Sequence, residues 1–205
     1  KKIPTFISAR QNLAALYLQM GRFNDAIEQS NEILKIDPNI APVYLILARS
    51  YSYIDNFDDA VKNIRKFIDL QESSFEGNYL LGVFLMASGD IKSSKSALEK
   101  AGNIDAEQGN MMIASALINH IEGNYNKAEG YLKKAQDLTR EIHRPMINIF
   151  LTNLYLTQGK YKLSKKSLKK TNGFISGFRH EHLDLKPDDE KKQSFAHTNL
   201  AIFYY

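Results

Sequence analysis

GRFNDAIEQSNEILKIDPN, residues 21–39, sets a rhythm that the chain repeats four times. The later copies are DNFDDAVKNIRKFIDLQES (55–73), GDIKSSKSALEKAGNIDAE (89–107), GNYNKAEGYLKKAQDLTRE (123–141) and GKYKLSKKSLKKTNGFISG (159–177). Each opens on a turn residue, places an aromatic ring or Ile two positions on, and a small residue five positions on. From Gly21 to Asp55, from Asp55 to Gly89 and from Gly89 to Gly123 is 34 residues each time, and from Gly123 to Gly159 it is 36. A fixed period of this length belongs to a helix–turn–helix repeat and has to be weighed before any other fold.

The residues around each turn fit that reading. Upstream, apolar side chains fall at steps of three and four, as in Tyr44, Leu47, Ala48 and Tyr51, or Leu81, Gly82 and Leu85, which places them on one helical face. Downstream, a second helix carries Phe23, Ala26 and Ile33, then Phe57, Ala60 and Phe67, and their later counterparts. The recurrent small residue (Ala26, Ala60, Ser94, Ala128, Ser164) lets two helix backbones approach closely. Gly or Asp in the turn tolerates dihedrals that other residues resist. Asp37-Pro38-Asn39 closes the first copy, since proline cannot continue the helix before it.

These features make the chain similar to the tetratricopeptide-repeat family. The resemblance covers five repeats over residues 7–171, divided as 7–40, 41–74, 75–108, 109–144 and 145–171. Residues 172–193 read as an insertion or extended connection, and 194–205 as the first helix of a truncated sixth repeat. The chain departs from the family pattern at Asn78 and Ser115, where bulky apolar residues are usual, and the closing proline is not repeated in the later copies. The resemblance implies an all-α fold, an α-solenoid of stacked hairpins in a right-handed superhelix of about eleven helices. It also implies protein–protein interaction.

Composition bounds the chemistry. With 27 basic and 23 acidic residues the net charge is only +4, too mild to point to nucleic acid. The absence of cysteine excludes disulfides, thiolate metal sites and cysteine nucleophiles. The chain has no phosphate-cradling glycine loop, no dinucleotide fingerprint, no His-Glu-x-x-His motif and no glycosylation acceptor. His180-Glu181-His182 is the one clustered histidine pair and lacks further ligands at recognisable spacing, so no metal or other cofactor is expected. The run Lys160, Lys162, Lys165, Lys166, Lys169 and Lys170 reads as a solvated outer helix face. An acidic partner or an anionic membrane surface is the sharper alternative, and interleaved aromatics for stacking on bases are lacking. No apolar run approaches the ~18 residues that span a bilayer. The chain starts at Lys1 and stops in mid-pattern at Tyr205, so we read it as part of a longer protein; the absence of cysteine fits the cytoplasm and a bacterial periplasm equally, and the sequence does not choose between them.

Some tetratricopeptide-repeat domains hold an acidic chaperone tail in a clamp of Lys, Asn and Arg. At the matching positions this chain has Gln11, Ala15, Ile46, Glu76 and Leu80. Moved on by one repeat they are Leu45, Arg49, Leu80, Asn110 and Ala114. Neither set is a carboxylate clamp. The inner faces of the first helices are instead unusually apolar, with His120 one of the few polar positions. The expected partner-binding residues are Leu45, Arg49, Tyr53, Tyr79, Val83, Met86, Ile113, Leu117, Ile121, Met146 and Ile149, lining a concave groove for an apolar or amphipathic segment of another protein. On this reading the chain is a non-catalytic scaffold in a larger assembly, and self-association through the same face is possible on its apolar character. The alternative is a regulatory or substrate-recruiting domain of an enzyme whose catalytic part lies elsewhere.

Overall fold

The structure is a computed structural model that describes residues 3–105, 109–140 and 144–171. The segments read from sequence as 172–193 and 194–205 lie outside the described residues, and so do His180 and His182. Ten helices and no strand are present among the described residues: α1 (Ile3–Gln19), α2 (Phe23–Ile36), α3 (Ala41–Tyr53), α4 (Phe57–Leu70), α5 (Phe75–Ala87), α6 (Ile91–Ile104), α7 (Gly109–Ile121), α8 (Tyr125–Leu138), α9 (Arg144–Thr157) and α10 (Tyr161–Lys169). The chain divides into two compact units, Lys1–Ile104 and Asp105–Tyr205. In the first, the hairpins α1–α2, α3–α4 and α5–α6 stack through α2 on α3 and α4 on α5. In the second, α7–α8 and α9–α10 stack through α8 on α9.

Every hairpin turn uses one conformation. Gly21, Asp55, Gly89, Gly123 and Gly159 all have positive φ, between 58° and 89°. The amide that follows each of them donates across the turn to the carbonyl five residues back: Arg22 to Tyr17 at 2.9 Å, Asn56 to Tyr51 at 3.0 Å, Asp90 to Leu85 at 2.9 Å, Asn124 to Asn119 at 2.7 Å and Lys160 to Tyr155 at 2.8 Å. The turn residue itself donates three residues back, as Gly21 does to Leu18. This paired arrangement satisfies carbonyls that the helix end would leave open, and it needs a left-handed residue at its hinge.

Asp55 (φ 58°) is the one residue with a side chain to adopt that conformation among the described residues. Asp tolerates it better than most, but Gly tolerates it best. We expect Asp55→Gly to raise stability by about 0.5–1 kcal/mol, and Asp55→Val to lower it by about 1–2 kcal/mol. Urea midpoints should rank Gly above Asp above Val, and any other order rules out strain at this hinge.

The second helices bury a narrow stripe at steps of three and four. In α2 it is Ala26, Ser30 and Ile33, in α4 Ala60, Ile64 and Phe67, and in α8 Ala128, Leu132 and Ala135. Their other faces are charged, which makes them amphipathic. The small residues Ala26, Ala60, Ser94, Ala128 and Ser164 are all buried, as close hairpin packing requires. A close approach of this kind is at Gly82 of α5. A Cβ there would sit 2.5 Å from Leu98 Cγ and 3.3 Å from the Ser94 carbonyl oxygen. The Ser94 hydroxyl uses that proximity to donate to the Gly82 carbonyl at 2.7 Å.

Asn78, which departs from the apolar pattern, is buried with its side-chain amide donating to the Ser74 carbonyl at 2.9 Å. Ser74 itself caps α5 by accepting from the Gly77 amide at 3.0 Å.

Candidate partner-binding faces

The free face of the first unit is set by α3 and α5. Leu45, Arg49 and Tyr53 fall on one side of α3 at steps of four and are half-buried. Arg49 does not stand free. Its guanidinium donates to the Glu76 carboxylate on α5, with both side chains more than a third exposed. An ion pair this open contributes little to stability, about 0–1 kcal/mol, but it fixes where the guanidinium sits. Tyr53 stacks on Phe23, the first residue of α2, with ring centroids 4.6 Å apart and planes within 9°. Phe23, the ring two positions after the first turn, thus holds the edge of the next first helix.

Tyr79, Val83 and Met86 are buried on α5 rather than open to a partner. The cause is α5 itself. From Gly77 to Ala87 every residue but Leu81 is buried, so the helix has no polar stripe to turn outward.

In the second unit the expected residues separate in the same way. Ile113, Leu117 and Ile149 are buried, Met146 is half-buried, and Ile121 is 42% exposed. Leu117 lines a void of about 10 Å³ together with Ala116, His120, Ala128, Leu132, Phe150 and Leu154. These neighbours come from α7, α8 and α9, which makes Leu117 part of the hairpin core and not of a groove floor. The void holds at most one water and has no room for a ligand.

His120, at the end of α7, is the polar group on that void. Its Nε2 lies 3.3 Å from the Thr157 hydroxyl, and its ring meets the Tyr125 ring edge-on at 5.6 Å. Burial pushes its pKa down to about 4, so the imidazole is neutral at physiological pH. Nearby, the Tyr155 hydroxyl donates to Glu129 at 2.9 Å and ties α9 to α8. Burial and then the Glu129 carboxylate push the phenol up to about 12, so it stays a donor.

Six of the eleven expected residues are therefore buried, and Leu45, Arg49, Tyr53, Met146 and Ile121 remain reachable. Sequence reasoning missed Glu76 as the partner of Arg49. Their opposite charges on successive first helices were the available signal. No group of three His, Asp or Glu among the described residues could hold a metal, and no described helix is long and apolar enough to cross a membrane.

The tetratricopeptide-repeat family model matches residues 7–40 and 41–74. A curated relative, the TPR repeat-containing protein YpiA of Bacillus subtilis (strain 168), is 22% identical over 152 residues. That match covers 74% of this chain but only 36% of YpiA, so the chain spans about a third of that relative's length. Among solved structures, PilW, a type IV pilus biogenesis factor, superposes with a TM-score of 0.73 at 20% identity, covering 97% of this chain and 90% of PilW. TTC0263, a thermophilic TPR protein of Thermus thermophilus, gives 0.69 at 19% identity, covering 95% and 99%. At these identities the likeness speaks for the fold, an all-α solenoid. The family model thus places two tetratricopeptide repeats at residues 7–74, and the period and the five left-handed turns carry the same pattern on to the last described hairpin.

Proposed function

We propose that the chain is a non-catalytic protein-interaction scaffold whose first-helix faces dock an apolar or amphipathic segment of another protein. The observation that carries this reading is the contrast between the two kinds of helix. Second helices bury one stripe beneath a largely charged surface, whereas first helices are apolar on several sides and leave Leu45, Tyr53, Ile121 and Met146 reachable. Leu45 and Tyr53 supply contact area on the first unit. The Arg49–Glu76 pair between them offers both a donor and an acceptor to a segment's backbone or polar side chains. Ile121 and Met146 supply contact area on the second unit, where methionine adapts to the shape it meets.

The test is capture by the full-length protein, comparing Leu45→Asp and Tyr53→Ala with Lys66→Glu on the outer side of α4. The two α3 variants should lose a protein that the parent and Lys66→Glu both retain, with unchanged far-UV circular dichroism. If folded α3 variants retain it as well as the parent does, docking on this face is wrong.

A further inference from the structure

We propose that α10 attaches the second unit peripherally to an anionic lipid surface. At 100° per residue, Lys162, Lys165, Lys166, Lys169 and Lys170 fall within about 140° of arc on α10 and the residue that follows it. All five are exposed, opposite the buried Ser164, Ser167 and Thr171. On other helices three exposed lysines answer an acid on their own helix: Lys35 pairs with Glu32, Lys66 with Asp69 and Lys133 with Glu129. Neither α10 nor its hairpin partner α9 contains a single Asp or Glu. Glu129 of α8 is already held by Lys133 and Tyr155. Among the described residues the positive charge of α10 is thus concentrated and has no acid on its own hairpin, which an ordinary solvated face does not require.

The chemistry of the face selects its occupant. A specific carboxylate or phosphate on a protein is met best by the planar fork of arginine, and α10 has none. Mobile ammonium groups suit a diffuse sheet of negative charge. Two large side chains border the lysine arc, Tyr161 at one edge (70% exposed) and Leu163 at the other (43% exposed). At a bilayer they enter the headgroup region while the lysine stems lie flat and their ammonium groups reach phosphate. Stacked nucleobases would need more than one aromatic along this face.

The experiment is flotation of the full chain with phosphatidylcholine vesicles, with and without phosphatidylglycerol, over a range of salt. We expect binding only to the anionic vesicles, weakening steeply as salt rises. The triple variant Lys162→Gln/Lys166→Gln/Lys169→Gln should bind at least about tenfold more weakly. Tyr161→Ala should weaken binding severalfold, and Lys66→Glu should leave it unchanged. The proposal is overturned if the parent binds both vesicle types equally, if it binds neither, or if the triple variant binds anionic vesicles as tightly as the parent. A parent that ignores vesicles yet is retained by poly-glutamate also overturns it, in favour of an acidic protein partner.

Discussion

Leu117→Asp is expected to unfold the second unit rather than to remove a partner. The side chain is 7% exposed and packs among Ala128, Leu132, Phe150 and Leu154. Removing its methyl groups costs about 3–5 kcal/mol in a core that cannot collapse. The carboxylate then meets only apolar side chains and the neutral His120 on that void and adds a penalty of its own. The sum is comparable to the whole stability of a small domain. Thermal denaturation should show the loss of a cooperative transition, whereas Lys166→Glu should stay within about 0.5 kcal/mol of the parent. A Leu117→Asp protein that melts like the parent and has lost its partner would return the residue to the groove.

Acid should destabilise the second unit through His120. In the unfolded chain this imidazole takes a proton near 6.5, but in the fold burial holds its pKa at about 4. Above pH 6.5 it is neutral in both states and contributes nothing to the pH dependence. Between 6.5 and 4 the unfolded state binds a proton that the folded state refuses, so stability falls as pH falls. Below about 4 both states are protonated and the loss stops. The group is only partly buried, so the total is on the order of 2–3 kcal/mol. Urea unfolding at pH 6.5 and at pH 5 isolates it from most carboxylates. The parent should lose stability between the two, and His120→Gln should lose less, by up to about one proton's slope. Equal slopes would show that His120 is solvated in the folded protein.

The parts legible in the sequence are those with local causes. A positive φ admits few residues, so Gly21, Gly89, Gly123 and Gly159 announce the turns by themselves. Asp55 announces the fifth by its place in the period. Close helix packing admits few side chains, so Ala26, Ala60, Ser94 and Ala128 mark the buried seam. The candidate face was harder to read, because periodicity separates faces only when polar residues occupy one of them. Along α5 there is no polar stripe, and nothing in the spacing of Tyr79, Val83 and Met86 distinguishes a groove lining from a core. Leu117 and His120 mislead for a related reason. They lie within two turns of the hinge, where a first helix meets both its own partner and the next hairpin. The Arg49–Glu76 pair depends on how far one hairpin is displaced along the next, which a repeat period does not specify.

The five left-handed hinges also bear on how the chain finds its fold. Each is closed by hydrogen bonds that span at most six consecutive residues, so a hairpin can form as soon as its own two helices exist. Within each unit the pairs that then meet are mostly neighbours in sequence, such as α2 with α3 or α8 with α9, and α1 also reaches α3. Among the described residues the contacts within each unit join helices close in sequence, so little loop-closure entropy precedes them. Low contact order of this kind goes with folding in microseconds to milliseconds. A chain leaving the ribosome can therefore settle one hairpin at a time, before the rest has been synthesised.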